Sequence, residues 1–388
     1  SKVYFSLHTD NFEFVYYTVK KLAFASALTQ LYESVSKSEN NPIIVCPKYI
    51  DIVDGVSNKN VIFPFDLLSK RNGFDGGYIV CKRSGNVYPT RVYSRRPFKF
   101  PLVSDTFNVQ FIQNDEVVCQ KILNARLVSG NSQSAGTTAK ICICGDSLID
   151  NNYAASQAYK LLLADGYTIR QVGTKSVTYD GVTYKHEGHG GWRYADYIDV
   201  NKAGNPFVYN GAINFKHYAE SLLSDLPAGE RVLDYFIVSL GTNDVGSDGA
   251  AGLLTDAAIA SLINKVKAFI DYLKDDSVGF PSCKVAIGLP ALGSLTCNPV
   301  FGENIQKFNQ ALIDTFDDGS YASGVTCVCH GPYIYREESY QHTDITVNGY
   351  CTDTYRKYGD GIHPKDIGYQ QWGFAYYAKL KSMLNGSL

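Results

Sequence analysis

The sequence predicts an α/β fold: a doubly wound parallel sheet of five strands with helices on both faces, preceded by a smaller β-rich domain. Three observations predict it. After residue 139, continuous apolar runs alternate with segments of helical apolar spacing. Before residue 129, short alternating segments dominate. Between them lies "SGNSQSAGTTA" (129–139), small, polar and without periodicity, which reads as an interdomain linker. The expected domains are 1–134 and 135–388.

In the first domain the strand-like runs are 41–54, 76–83 and 86–94. The clearest signal is 107–128, where two runs flank Asn114-Asp115-Glu116 as in a hairpin. Residues 20–37 instead carry helical spacing. The pattern suits a β-sandwich-like domain that could bind glycan, dock to a partner or shape the cleft, and nothing in it names a ligand. The chain holds 29 Tyr and 20 Phe. Such rings fill sheets, and they also stack on sugar C–H faces.

In the second domain the expected strands are 140–144, 168–172, 233–240, 284–289 and 325–329. The expected helices are 153–164, 251–274, 304–315 and 365–383. Several of these strands are apolar throughout, as required when helices cover both sheet faces. Alternation of strand and helix places the strands in one parallel sheet.

Composition narrows the function. The 388 residues include 36 Lys and Arg against 38 Asp and Glu, a formal net charge of −2. That balance offers no surface for nucleic acid or an anionic membrane. No apolar run reaches the roughly 18 residues that span a bilayer. The opening "SKVYFSLHTDNF" has no signal-peptide core. The Cys142/Cys144 and Cys327/Cys329 pairs sit inside apolar runs and lack the spacing of zinc knuckles. They read as buried thiols. Arg91, Arg95, Arg96 and Lys99 read as a solvated face.

Four polar blocks fall at element ends, where an open parallel sheet gathers its active residues. The first strand runs into Gly145-Asp146-Ser147. Ser147 there is either a nucleophile near a helix N-terminus or a helix cap. The strand at 233–240 runs into Gly241-Thr242-Asn243-Asp244, where the Asn243 amide either donates to an oxyanion or closes an Asx turn. Between them, "HEGHGGWRYADY" (186–197) offers Gly188, Gly190 and Gly191 for close backbone approach, with His189 and Trp192 as candidate substrate contacts. A zinc site from His186, His189 and His363 has no supporting carboxylate spacing. Last, Asp360 and His363 stand i, i+3 in "YGDGIHPKD", so one helical turn would set them side by side. A carboxylate so placed fixes a His tautomer, as a general base needs. Each block alone is also consistent with a cap or turn that has no chemistry.

Together, the series "GDSL", "EGHGGW", "GTND" and "DGIHP" resembles the SGNH, or GDSL-type, hydrolase superfamily across about residues 139–385. The resemblance implies a flavodoxin-like sheet and a serine esterase. It implies Ser147 as nucleophile, His363 as general base and Asp360 as the residue orienting His363. The oxyanion hole would be the Ser147 and Gly188 backbone N–H groups and the Asn243 amide, with Gly190 or Gly191 as alternatives to Gly188. Asp146 would be structural. The serine precedes its partners, unlike the Gly-x-Ser-x-Gly order of α/β-hydrolases. No metal or organic cofactor is implied. The "EGHGGW", "NPF" (205–207) and "NFKHY" (214–218) segments look like a carbohydrate-active subgroup found in phage and gut bacteria. The expected substrate is therefore an O-acetylated carbohydrate, and the expected location extracellular or virion-associated. The alternatives are a lipid or thioester hydrolase, and a virion-structural or glycan-binding adhesin.

Overall fold

The computed structural model describes residues 42–387, apart from 56–58, 70–76, 84–89, 94–95, 151–152, 249–251, 295–296 and 347–353. The expected helix at 20–37 lies outside the described residues. Residues Pro42–Leu388 form one compact unit.

The β-rich segment folds as one five-stranded sheet. Its strands are β1 (Tyr49–Val53), β2 (Tyr78–Arg83), β3 (Thr90–Tyr93), β4 (Asp105–Gln113) and β5 (Glu116–Val128), in the order β1-β5-β4-β2-β3. Only the β1–β5 pair is parallel. The β4–β5 hairpin turns on Asn114 and Asp115, at φ 52° and 63°. Asn and Asp tolerate this left-handed backbone, which matches the twist of a two-residue hairpin. Along β4, Phe107, Val109 and Phe111 are buried while Gln110 faces Gln120 on the other side. Among the described residues of this segment the only other strands are the Val61–Ile62 and Phe98–Lys99 pair, and no second sandwich layer is among them.

The second sheet holds β6 (Ala139–Gly145), β7 (Ile169–Val172), β8 (Lys175–Tyr179), β9 (Val182–Gly188), β10 (Tyr235–Ser239), β11 (Lys284–Leu289) and β12 (Val325–Cys329). Every strand expected after the linker is present, and β7-β6-β10-β11-β12 are mutually parallel. The sheet is nonetheless seven-stranded and mixed, because the β8–β9 hairpin joins it. That hairpin escaped the sequence reading because β8 is mostly exposed and lacks an apolar run. Asp180-Gly181, both at positive φ, was its one turn signal. The strand β7 pairs with the first half of β6 and β9 with its end, so the two share one edge.

Among the described residues the α-helices are α1 (Tyr153–Ala164), α2 (Tyr194–Tyr197), α3 (Phe215–Leu222), α4 (Thr242–Asp248), α5 (Asp256–Lys274), α6 (Pro299–Phe316), α7 (Arg336–Ser339) and α8 (Asp366–Leu384). Thr255 caps α5 by accepting from the Ala258 N–H, so this helix starts later than the spacing alone predicts. Ile141 and Ile143 of β6 pack with α1 and α8, while Cys142 and Cys144 pack with α5 and α6. Helices thus cover both faces of the sheet. No described helix is long and apolar enough to cross a membrane.

Phe107, Phe111 and Ile79 of the first sheet belong to the same apolar cluster as Ile141 and Trp372. A buried ion network crosses this region. Asp51 on β1 meets Arg126 on β5 at 2.7 Å and Lys379 on α8 at 3.2 Å. Lys379 is 3% exposed in its side chain. Removing the anion strands buried cations, which typically costs about 3–5 kcal/mol. Asp51→Ala should therefore lower the urea-unfolding free energy by about that amount. A loss below about 1 kcal/mol, the range of exposed pairs, would show that the cations find other partners.

Candidate active site

The first strand delivers Ser147 through a tight turn. The Asp146 carbonyl accepts from the Ile149 and Asp150 N–H groups, at 3.0 and 2.9 Å. The Asp146 carboxylate accepts from the Leu148 N–H at 2.9 Å. A side chain at Gly145 would place Cβ 2.4 Å from Ile149 and 2.6 Å from the Ser239 carbonyl oxygen, so only glycine fits before the turn. The turn leaves Ser147 half-buried at the carboxyl end of β6.

Ser147 Oγ lies 2.8 Å from His363 Nε2, and His363 Nδ1 lies 2.6 Å from Asp360 Oδ2. The Asp360–His363 contact comes from an Asx turn and not from the helical turn expected. Asp360 Oδ1 accepts from the Ile362 and His363 N–H groups at 2.8 and 3.1 Å. The helix α8 begins only at Asp366.

Asn243 is the second residue of α4, just past Gly241 at φ 117°. Its Nδ2 donates to the Trp192 carbonyl at 3.1 Å and to Asp146 Oδ2 at 3.3 Å. The third strand end and the glycine block therefore meet beside Ser147. Within that block the Gly188 backbone has partners of its own. The Gly188 N–H already donates to His186 Nδ1 at 3.1 Å, and Gly188 is buried in register with Gly145. A Cβ there would lie 2.5 Å from the Asp150 nitrogen, so packing explains this glycine. The Gly190 N–H donates to Asp150 at 3.2 Å. Gly191 is exposed at φ 77°, and its N–H donates to no described residue.

His189 and Trp192 stack with ring centroids 4.2 Å apart. His189 Nε2 lies 2.7 Å from Glu187 Oε1, so its edge is held inward and Trp192 presents the half-buried face. Glu187 has no solvent exposure, and also accepts from the Thr174 and Tyr218 hydroxyls at 2.6 and 2.7 Å. The sequence reading passed over Glu187, although its place beside the glycines was a signal. It also passed over Asp150, three residues past Ser147. Among the described residues, no group of three His, Cys, Asp or Glu side chains could hold a metal ion. Cys142, Cys144 and Cys327 are fully buried, and burial pushes their thiols well above the usual range.

Burial dominates the electrostatics below the serine. It raises Asp146 to about 7, with the nearby Asp244 charge adding to the rise, and Asp244 to about 6. Burial works against the Asp360 anion too, but the Ile362, His363 and imidazole hydrogen bonds outweigh it and hold this carboxyl below its usual value. For Asp146 and Asp244 the folded pKa lies above the unfolded one. Their contribution to stability is complete below about pH 4 and is lost as pH rises through about 6 and 7. Asp146→Asn cannot ionise. Its unfolding free energy in urea should fall less than that of the wild type between pH 5 and 8, by about 3 kcal/mol at most. Parallel pH profiles for the two proteins would contradict this.

Residues 141–374, more than half of the chain, match the model of the family described as GDSL-like Lipase/Acylhydrolase. No curated protein matches the chain. Among solved structures, the Clostridium thermocellum family 3 carbohydrate esterase is 18% identical, covering 65% of this chain and 99% of its own, with a TM-score of 0.41. A carbohydrate esterase family 3 protein from Talaromyces cellulolyticus is 17% identical over 64% of this chain and 99% of its own, with a TM-score of 0.40. The M. smegmatis aryl esterase is 17% identical over 63% and 99%, with a TM-score of 0.34. On the family match, which runs from β6 into α8 and takes in Ser147, Asn243, Asp360 and His363, the chain belongs to the GDSL-like lipase/acylhydrolase family and is a hydrolase of ester bonds.

Proposed function

We propose that the protein removes acetyl groups from an O-acetylated carbohydrate through a Ser147–His363–Asp360 triad. The observation that carries this reading is the unbroken relay from Ser147 Oγ to His363 at 2.8 Å and on to Asp360 at 2.6 Å. Ser147 Oγ attacks the acyl carbon while His363 Nε2 takes its proton. The tetrahedral intermediate collapses as His363 returns that proton to the leaving sugar oxygen, leaving an acetyl-enzyme. Water then attacks, giving its proton to His363, and as the acyl–Oγ bond breaks His363 returns that proton to Ser147 Oγ and acetate leaves. Asp360 supports the imidazolium in both halves and does not take the proton.

The oxyanion would be held by the Ser147 N–H, the Asn243 amide and the Gly191 N–H. Gly191 takes the place of Gly188 in this role because Gly191 is exposed and its N–H donates to no described residue, while that of Gly188 donates to His186. Asn243 reaches the oxyanion by giving up its longer contact, 3.3 Å to Asp146.

The surroundings favour a sugar as the leaving alcohol. Trp192 offers an aromatic face one peptide from Gly191, with Lys202 Nζ 5.2 Å from the ring centroid. Asp150 and Lys175, 3.9 Å apart, supply charge beside the serine turn. An aromatic plate among polar groups suits sugar C–H and hydroxyl groups. In this reading residues 135–388 are the catalytic part, and the β-rich segment before them shares a core with it.

Acetate release from acetylated polysaccharides should occur with the wild type and drop to background with Ser147→Ala. Activity on nitrophenyl esters that climbs from acetate to octanoate would overturn the carbohydrate reading in favour of a lipid substrate. Asn243→Ala should stay folded and lose about 10²–10³ in kcat. A loss under about tenfold would remove Asn243 from the oxyanion hole.

A further inference from the structure

We propose that Asp66 and Arg336 are positioning residues that brace the Asp360–His363 loop, so that the β-rich segment takes part in catalysis through them. The proposal rests on the triad reading above.

The loop 359–365 has no helix or sheet of its own to fix it. It is held between two short segments. On one side the Ser294 N–H donates to the Gly361 carbonyl at 2.7 Å. Gly293 there has φ 75°, and a Cβ on it would sit 2.6 Å from the Gly361 oxygen. On the other side the Gly359 N–H donates to the Gln341 carbonyl at 2.9 Å and the Lys365 N–H to the Ser339 carbonyl at 2.6 Å. Tyr340 and Pro364 form a bridge between those contacts.

Arg336 ties the two sides together. Its backbone starts α7, which ends at Ser339. Its Nε donates to the Gly293 carbonyl at 2.5 Å and its Nη2 to the Ser294 carbonyl. A planar guanidinium donating to two successive carbonyls fixes their orientation, which lysine could not do. The remaining nitrogen, Nη1, meets Asp66 Oδ1 at 3.3 Å. Both side chains are about nine-tenths buried, at 10% and 8% exposure.

Asp66 is itself rigidly held. It lies in the 3-10 turn Pro64–Leu67. Gln306 of α6 donates to the Asp66 and Leu68 carbonyls at 2.7 and 3.2 Å. Phe63 stacks on Tyr335 at 5.0 Å, and its N–H donates to the Pro332 carbonyl at 2.7 Å. A buried pair of this kind adds little to stability over an apolar replacement. What it supplies here is direction: the anion selects the guanidinium rotamer that reaches Gly293 and Ser294. Those peptides in turn set where Gly361, and hence Asp360 and His363, can lie.

The test uses the full chain with nitrophenyl acetate and compares Asp66→Asn, Arg336→Gln and the double variant at a temperature where each melts well above the assay. A loosened loop misplaces the base by a fraction of an ångström to about 1 Å, a displacement that costs up to about 10²-fold. The expected result is a kcat about 10- to 100-fold lower in each single variant, with KM nearly unchanged. The rate of Ser147 labelling by a fluorophosphonate should fall in parallel. The double variant should be no slower than Arg336→Gln alone, because Asp66 acts through Arg336. Should Arg336→Gln fail to fold, Asp66→Asn, which keeps shape and loses only charge, decides alone. Wild-type kcat and labelling in folded Asp66→Asn, or strictly additive losses in the pair, overturn the proposal. Ser147→Ala separates the two ideas: if it is inactive while the brace variants are normal, only the brace fails, and if it stays active the triad itself fails.

Discussion

Three chain segments meet at one residue. Gly145 stands opposite Ser239 on one neighbouring strand and opposite Gly188 on the other. That register decides at what height each strand stops, and therefore where each following turn begins. Ser147, the Asn243 segment and the Gly188–Trp192 loop come to the same edge of the sheet because of it. Parallel ladders fix such a level well, since a slip by one residue would turn every buried side chain to the other face. The absence of a side chain at Gly145 is part of the same constraint, because the Ser239 carbonyl occupies the space a Cβ would need.

The remaining half of the site is built differently. Asp360 and His363 arrive on a loop, and their mutual geometry comes from an Asx turn whose two N–H bonds converge on one carboxylate oxygen. Such a turn sets local shape and leaves the position of the whole loop to its neighbours. Beneath the serine the opposite strategy holds. Asp146 and Asp244 are buried so deeply that burial disfavours their charge, an arrangement that costs stability near neutral pH and is tolerated where it shapes a turn. The site thus combines a rigid strand-borne half with a loop-borne half that depends on packing from distant sequence.

The family match and the general α/β fold were legible in the sequence because apolar runs, turn glycines and four short motifs mark them directly. The parallel strands β6, β7, β10, β11 and β12 each carry such a run. The β8–β9 hairpin does not, since its outer strand is solvated and only Asp180-Gly181 betrayed it. The choice among Gly188, Gly190 and Gly191 was illegible for another reason. All three are glycines, and only the fold reveals that one N–H is spent on His186, one on Asp150 and one on nothing described. The Asp66–Arg336 contact spans 270 residues and joins ordinary charged residues with no motif around either. Periodicity speaks about neighbours within a few residues, and this pair lies beyond its reach.

The buried Asp51 network has a consequence for how the chain is made. Asp51 and Arg126 leave the ribosome well before Lys379 does. Until α8 emerges, the nascent first sheet carries a carboxylate that lacks one of its two cations and an apolar face that lacks its cover. Its final packing is therefore a late, long-range event, of the slow class in which loop closure precedes any reward. A nascent chain of this protein should hold β1 to β5 open to chaperones until α8 has emerged.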